Sequence, residues 1–251
     1  MLTPLSVLAP SPPDLILATF DRHQGTSASP YASLNCSFGV GDQIEMVQIN
    51  RQMMKQSLGI SRLVSARQVH GDQILGILET PDRDQEMEGI DALMTDRRDV
   101  GLMIQHADCQ AILLHDPVQS AIAAVHCGWR GSVLRIIEKT VGRMNTSYQS
   151  RPEDIQASIS PSLGPCCAEF INHNQELPVS FLAFQQRRNY FDFWQISRSQ
   201  LMKAGLQPEK INIAEICTCC SPDFFSYRQA HRKGDGTTGR NCSIIALRKQ
   251  G

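Results

Sequence analysis

The sequence predicts one α+β domain in which hairpins outnumber the regular strand-helix alternation of a doubly wound fold. Three observations carry this. Short apolar runs bounded by turn residues recur along the chain, helical periodicity is confined to a few segments, and no internal repeat, low-complexity tract or clear linker divides the 251 residues. With 41% apolar and 20% charged residues the chain has ample material for a core.

In order, the lead MLTPLSVLAPSPPDLI has no basic segment before its apolar residues and is broken by Pro4, Pro10, Pro12 and Pro13, so no export signal is expected. Leu15 to Phe20 reads as a strand, and residues 21 to 27 as a polar loop containing Arg22, which taken alone is a solvated charge. Ile44 to Leu58 has helical spacing, with Gly59 as its stop. Leu63 to Val69 and Gln73 to Leu78 flank His70-Gly71-Asp72, which reads as a tight hairpin with His70 at a strand end. Pro81 to Glu88 is a solvated charged loop, and Asp91 to Thr95 and Val100 to Gln105 are strands.

The run HADCQAILLHDPVQSAIAAVHCGWRGS, from His106 to Ser132, is where chemistry concentrates. Two apolar segments are separated by Asp116-Pro117-Val118-Gln119, and Asp-Pro initiates turns. A hairpin turn centred between Pro117 and Val118 sets Cys109 opposite His126. Opposed side chains lie roughly 4.5 to 5.5 Å apart at Cβ, close enough for a thiolate and an imidazole to share one metal ion or one proton. A helical pattern follows through Val133, Leu134, Ile136, Ile137, Val141 and Met144, so the pair sits beside a helix N-terminus that favours an anion.

Beyond this helix, Ile155 to Ser160 is strand-like and residues 161 to 165 break the chain. Pro178 to Gln186 is apolar enough for a helix, Tyr190 to Trp194 reads as a strand, and Ile196 to Ala204 as an amphipathic helix ended by Gly205. Ile211 to Ile216 and Cys242 to Leu247 read as buried strands. SYRQAHRKGDGTTGR between them is a basic, glycine-rich loop with Arg228, Arg232, Lys233 and Arg240; lacking G-K-[ST], it is no phosphate-binding P-loop, and it reads as a surface hairpin or an anion-binding lid.

Composition excludes several function classes. The net charge of -1 gives no reason to expect nucleic acid or a membrane surface as partner, and no run is long enough to span a bilayer. Nine cysteines, an odd number in a long chain without an export signal, fit a reducing cytoplasm. Cys217, Cys219 and Cys220 contain C-x-x-C, but no second such pair completes a four-cysteine zinc site, so these thiols, with Cys166 and Cys167, read as buried or incidental. H-E-x-x-H, H-x-E…P-C-x-x-C, G-x-S-x-G and G-x-G-x-x-G are all absent, and the seven histidines include no H-x-H pair of the multicopper type.

What remains is Cys109 facing His126, with His70 as the third partner because it ends a neighbouring hairpin. Two nitrogens and a thiolate suit zinc and leave a fourth position for water or substrate, as in a catalytic site. A metal-free pair, with His126 activating Cys109 as nucleophile, satisfies the same residues.

The segments Q-V-H-G (68 to 71), D-A-L-M-T-D (91 to 96), A-D-C (107 to 109), V-H-C-G-W-R-G (125 to 131), G-P-C-C (164 to 167), C-T-C-C (217 to 220), F-F-S-Y-R (224 to 228) and T-G-R (238 to 240) resemble the YfiH family, also called the laccase-domain or polyphenol-oxidase family. The resemblance covers nearly the whole chain in order. It implies a mixed α+β fold with mixed and antiparallel sheets in a sandwich-like core flanked by helices. It also implies a mononuclear zinc on the residues matching its motifs, His70, Cys109 and His126. Phosphorolysis of adenosine, inosine and S-methyl-5'-thioadenosine, with adenosine deaminase activity, is the implied function. Copper-dependent phenol oxidation and peptidoglycan precursor editing are alternatives attached to the same family. Expected partners are purine nucleosides and inorganic phosphate, with the protein a cytoplasmic monomer. Asp108 is then the candidate proton shuttle, and Arg22, Arg130, Arg228 and Arg240 are the candidate phosphate ligands, because guanidinium binds phosphate bidentately. The chain departs from the family's R-x-G-G-V-S pattern at Arg22-His23-Gln24-Gly25-Thr26-Ser27 and has Asn35-Cys36 in place of asparagine-leucine.

Overall fold

Residues Val100–His106, Gln110–Asp116, Ala121–Cys127 and Asn241–Leu247 are buried at every position. Strands dry on both faces need cover on both, and the fold supplies it as four layers. The structure, a computed structural model, describes residues 2–4 and 12–249. Much of the proline-rich lead, with the expectation that it carries no export signal, lies outside them.

In chain order, strand β1 (Leu15–Phe20) precedes helix α1 (Ile44–Leu58), then strands β2 (Arg62–Arg67), β3 (Ile74–Gly76), β4 (Gln85–Glu88) and β5 (Ala92–Thr95). The long strands β6 (Val100–His106), β7 (Gln110–Asp116) and β8 (Ala121–Cys127) lead into helices α2 (Trp129–Val133) and α3 (Ile136–Tyr148). There follow β9 (Gln156–Ile159), α4 (His173–Glu176), the two-stranded ribbon of β10 (Gln185–Arg187) and β11 (Tyr190–Phe191), and α5 (Phe193–Lys203). The chain closes with β12 (Ile211–Ile213), α6 (Tyr227–Lys233) and β13 (Asn241–Leu247).

One sheet has the order β1-β13-β6-β2-β4, the other β12-β9-β7-β8-β5-β3, and both mix parallel and antiparallel pairs. Alternation along each strand splits its side chains between two cores. Val64, Leu102, Ile104 and Ile245 of the first sheet meet Leu93, Ala111, Leu113, Ile122 and Ala124 of the second in the layer between them. The opposite face of the second sheet, through Ile112, Leu114, Ala123 and Val125, packs on Ile137, Val141 and Met144 of α3. The opposite face of the first, through Ala18, Phe20, Met103 and Ile244, packs on Met54 and Leu58 of α1. The α+β sandwich flanked by helices is thus what forms, and α1 ends where expected, with Gly59 left-handed at φ 66°. Among the described residues no helix is long and apolar enough to cross a membrane.

Several local expectations fail for stated reasons. β2 and β3 form no hairpin, because β2 pairs with β6 and β4 in one sheet while β3 pairs with β5 in the other, and residues 68–73 cross between the layers. The charged segment 81–88 ends in β4, an edge strand of half-buried and exposed residues whose Glu86 meets Arg51 of α1 at 2.6 Å. The helix after Gly128 is broken, since Arg135 adopts a left-handed φ of 62° and separates α2 from α3. Residues 179–184 form only a 3-10 helix, and Tyr190–Phe191 is a two-residue strand, because Asp192 caps Gln195 and starts α5 early. β12 is a half-buried edge strand. Residues 226–240 begin as a helix, α6, whose Ser226 side chain accepts the Gln229 N–H.

Candidate metal centre

The hairpin β7–β8 is present, but its turn is longer than its dipeptide signal implies. Asp116 Oδ1 accepts the N–H groups of Val118 and Gln119, which folds Pro117–Ser120 into a four-residue loop and pairs Asp116 with Ala121. His126 therefore faces Ala111, and continuing the ladder past Gln110 and Cys127 sets Cys109 against Gly128. The expected Cys109–His126 opposition is corrected by two positions. An even shift preserves the face. Cys109 and His126 are consequently diagonal neighbours on the side that, further along, carries Ala111, Leu113, Ile122 and Ala124 of the inter-sheet core. The pair sits where that layer opens.

His70 arrives from the crossover between the sheets, in a left-handed conformation at φ 60°. Its Nε2 is 3.7 Å from Cys109 Sγ, and its ring stands edge-on to that of His126 with centroids 4.8 Å apart. The ligand atoms of His70, Cys109 and His126 all lie within 4.8 Å of one another. Gly128 makes room for them, since a Cβ there would lie 2.9 Å from Cys109 Sγ and 3.0 Å from His70 Cδ2.

A fourth residue, Asp91, organises the trio, and sequence reasoning passed over it as the start of a strand. Its carboxylate is fully buried and accepts the N–H groups of Val69, His70 and Gly71 together with His126 Nδ1 at 2.8 Å. It thereby fixes the crossover carrying His70 and, by engaging Nδ1, turns His126 Nε2 toward the centre. Metal-binding histidines ordinarily have such a partner. A buried aspartate opening a strand two residues after glycine was the available signal, but nothing in the sequence names its partners.

The electrostatics of the trio are those of a thiolate beside an imidazolium. Burial opposes ionisation of Cys109, but the charge and hydrogen bonding of His126, then of His70, outweigh it and bring the thiol down to about 6. Burial likewise pulls His126 down, and the Cys109 charge with the Asp91 bond pushes it up to about 9. His106, on a neighbouring strand, lacks such partners; burial and the His126 charge lower it to about 3.

The trio lies in a cavity of about 930 Å³ lined also by Asp108, Trp129, Phe170, Phe193, Arg228 and Arg240. Arg228 is held by the carbonyls of Cys167 and Glu169, and Arg240 Nη1 by those of Thr238 and Gly239. Burial lowers the Arg240 pKa, so an anion there meets a poorly solvated cation. Arg22 and Arg130 do not line the cavity. Arg22 donates to the Ala32 carbonyl and lies over the Phe225 ring, while exposed Arg130 lies over Trp129. Asp108 faces the cavity but is committed on both oxygens, Oδ1 to the Thr218 hydroxyl and Oδ2 to the Arg228 N–H. Its geometry suits positioning rather than proton shuttling.

The four thiols of Cys166, Cys167, Cys217 and Cys220 also converge, with Sγ atoms within 4.8 Å of one another. The reading of them as incidental is overturned, because the second pair missing along the chain is supplied by a distant turn.

Residues 16–248 match the family described as multi-copper polyphenol oxidoreductase laccase. The chain belongs to this laccase-domain family. Similar members include the purine nucleoside phosphorylase of Bacteroides thetaiotaomicron, 31% identical over 247 residues covering 91% of this chain and 90% of that one. Purine nucleoside phosphorylase YlmD of Geobacillus stearothermophilus is 30% identical over 246 residues, with 91% and 89% covered. Among solved structures, the hypothetical protein YfiH of Bacillus licheniformis superposes with a TM-score of 0.84 at 29% identity, covering 93% of each chain. The mixed α+β architecture is therefore that of the laccase-domain family.

Proposed function

We propose that this laccase-domain protein is a purine nucleoside phosphorylase, acting as one catalytic domain and a monomer in the cytoplasm, on adenosine, inosine and S-methyl-5'-thioadenosine, with adenosine deaminase activity at the same centre. The observation that carries the reading is the convergence of two imidazoles and one low-pKa thiol in a cavity that also holds Arg228 and Arg240. The names of the relatives point to the same chemistry.

The donor set fits zinc: a soft thiolate, two imidazoles, an Asp91 carboxylate orienting one of them and, among the described residues, no fourth protein donor. Multicopper chemistry needs several imidazole clusters, and among the described residues this is the one donor group that contains histidine. A zinc ion held by His70, Cys109 and His126 would supply a Lewis acid with one open coordination position.

In phosphorolysis a phosphate oxygen bonds to the anomeric carbon of ribose while the bond to the purine nitrogen breaks, and the departing base takes up a proton. Arg228 and Arg240 bind and orient the phosphate, Arg240 with Nε and Nη2 uncommitted among the described residues. Trp129, Phe170 and Phe193 offer the base an apolar wall and exclude water from it. Asp108 holds the backbone of Arg228 in place.

Incubation of zinc-loaded protein with inosine and phosphate should release hypoxanthine, read by chromatography, and Cys109→Ala should reduce product to background. Absence of hypoxanthine, or product that survives Cys109→Ala, overturns the proposal. A second reading, a metal-free Cys109–His126 nucleophile, is favoured by the thiolate-imidazolium pairing alone. It predicts protein that is active without zinc and is inactivated by iodoacetamide at Cys109.

A further inference from the structure

We propose that Cys166, Cys167, Cys217 and Cys220 form a second, structural metal site for a zinc-class soft divalent ion. Its existence does not depend on which reaction the histidine centre performs. Two turns build it. In the first, the Cys167 and Ala168 N–H groups donate to the Gly164 carbonyl, presenting Cys166 and Cys167. In the second, the Cys220 and Ser221 N–H groups donate to the Cys217 carbonyl, presenting Cys217 and Cys220 in C-x-x-C spacing. The turns are locked side by side by a bridge between Ser162 and Cys217, with Ser162 N–H donating to Ile216 and Thr218 N–H to Ser162.

The sulfur geometry matches one ion. Cys220 Sγ lies 3.6 Å from Cys166 Sγ and 3.5 Å from Cys167 Sγ. A zinc tetrathiolate with bonds near 2.3 Å has sulfur-sulfur edges of roughly 3.8 Å. Two of the four sulfurs already accept a donor. Gly164 N–H donates to Cys217 Sγ at 3.3 Å, and Arg232 Nη1 reaches Cys167 Sγ at 3.7 Å and Cys219 Sγ at 3.5 Å. Cys166 and Cys220 are exposed, which leaves an entry path for the ion. Four protein donors leave no open position, so the site stabilises and does not catalyse. What it stabilises is the cavity wall. The Cys167 carbonyl accepts Arg228, and Thr218, between Cys217 and Cys220, donates to Asp108.

Metal analysis of protein purified under reducing conditions without chelator separates this site from the His70–Cys109–His126 centre. Wild type should hold about two zinc ions per chain, and Cys109→Ala about one, the ion retained by the four cysteines. The double variant Cys217→Ser with Cys220→Ser should also hold about one and melt at lower temperature. Because that variant can misfold, cobalt(II) is added to apo Cys109→Ala protein, where the strong visible and charge-transfer bands of a tetrahedral tetrathiolate are expected. Cys109→Ala protein without zinc and without those bands overturns the site, as does mass spectrometry showing the four thiols paired as disulfides in freshly reduced, metal-exposed protein. Neither result bears on whether hypoxanthine is formed from inosine.

Discussion

The two donor groups are close in extent and opposite in design. His70, Cys109 and His126 come from a crossover, the bend just before β7, and strand β8 at the rim of the inter-sheet layer, and they face an open cavity. Cys166, Cys167, Cys217 and Cys220 come from two adjoining turns and face one another. The first group is stiffened by a buried carboxylate behind it, the second by backbone N–H groups and an arginine around it. The contrast teaches that an incomplete set of donors around an ion would leave a corner for substrate, whereas a complete set on turns would draw from its ion the rigidity the turns lack.

The contrast can be broken most severely at Asp91. Asp91→Ala removes the acceptor of three part-buried backbone N–H groups and of buried His126 Nδ1, the last alone costing about 1–3 kcal/mol if left unpaired. Zinc affinity at the histidine centre should fall about 10- to 100-fold. Cobalt bands of the four-cysteine group should persist, and their loss in parallel would show that the two groups are one cooperative unit. Gly128→Ala is a smaller disturbance. Its Cβ would press on Cys109 Sγ and His70 Cδ2, so zinc titration should show weaker binding at the histidine centre, with a thermal midpoint changed by only a few degrees.

His106 sharpens the comparison at the smallest scale, because it is buried like His126 yet shifted in the opposite direction. Its folded pKa of about 3 lies below the unfolded value of about 6.5, so the unfolded chain takes up a proton first as pH falls. Its share of stability is therefore whole above pH about 6.5 and drains away toward pH about 3. His106→Asn should lower stability at neutral pH but flatten the acid limb, read as urea midpoints at neutral pH and near pH about 5. An unchanged acid slope would show that His106 is not the residue responsible.

Much of the site was legible because its error was even. The turn after Asp116 is two residues longer than Asp-Pro implies, yet a displacement of two returns Cys109 and His126 to the same face. His70 was placed correctly for an incorrect reason, since it ends no hairpin and lies on a crossover whose backbone Asp91 gathers. The arginines were legible only in part. Arg228 and Arg240 reach the cavity, whereas Arg22 and Arg130 are drawn to Phe225 and Trp129, contacts that depend on chain segments far away or on local rotamers. The cysteine group was invisible because its halves are fifty or more positions apart, as in the Cys166–Cys220 separation of 54.

The sequence by itself determined the long buried strands, helix α1 with its glycine stop, and the residue types that meet at the histidine centre. These follow from local apolar period, turn chemistry and side-chain alternation, which act over a few residues. Only the tertiary structure decided which sheet each strand joins, how Asp91 steers two histidines, which arginines face the cavity, and that four scattered thiols converge. Those outcomes depend on the packing of two sheets against each other, where contacts are set by burial across the whole chain and leave no periodic trace in it.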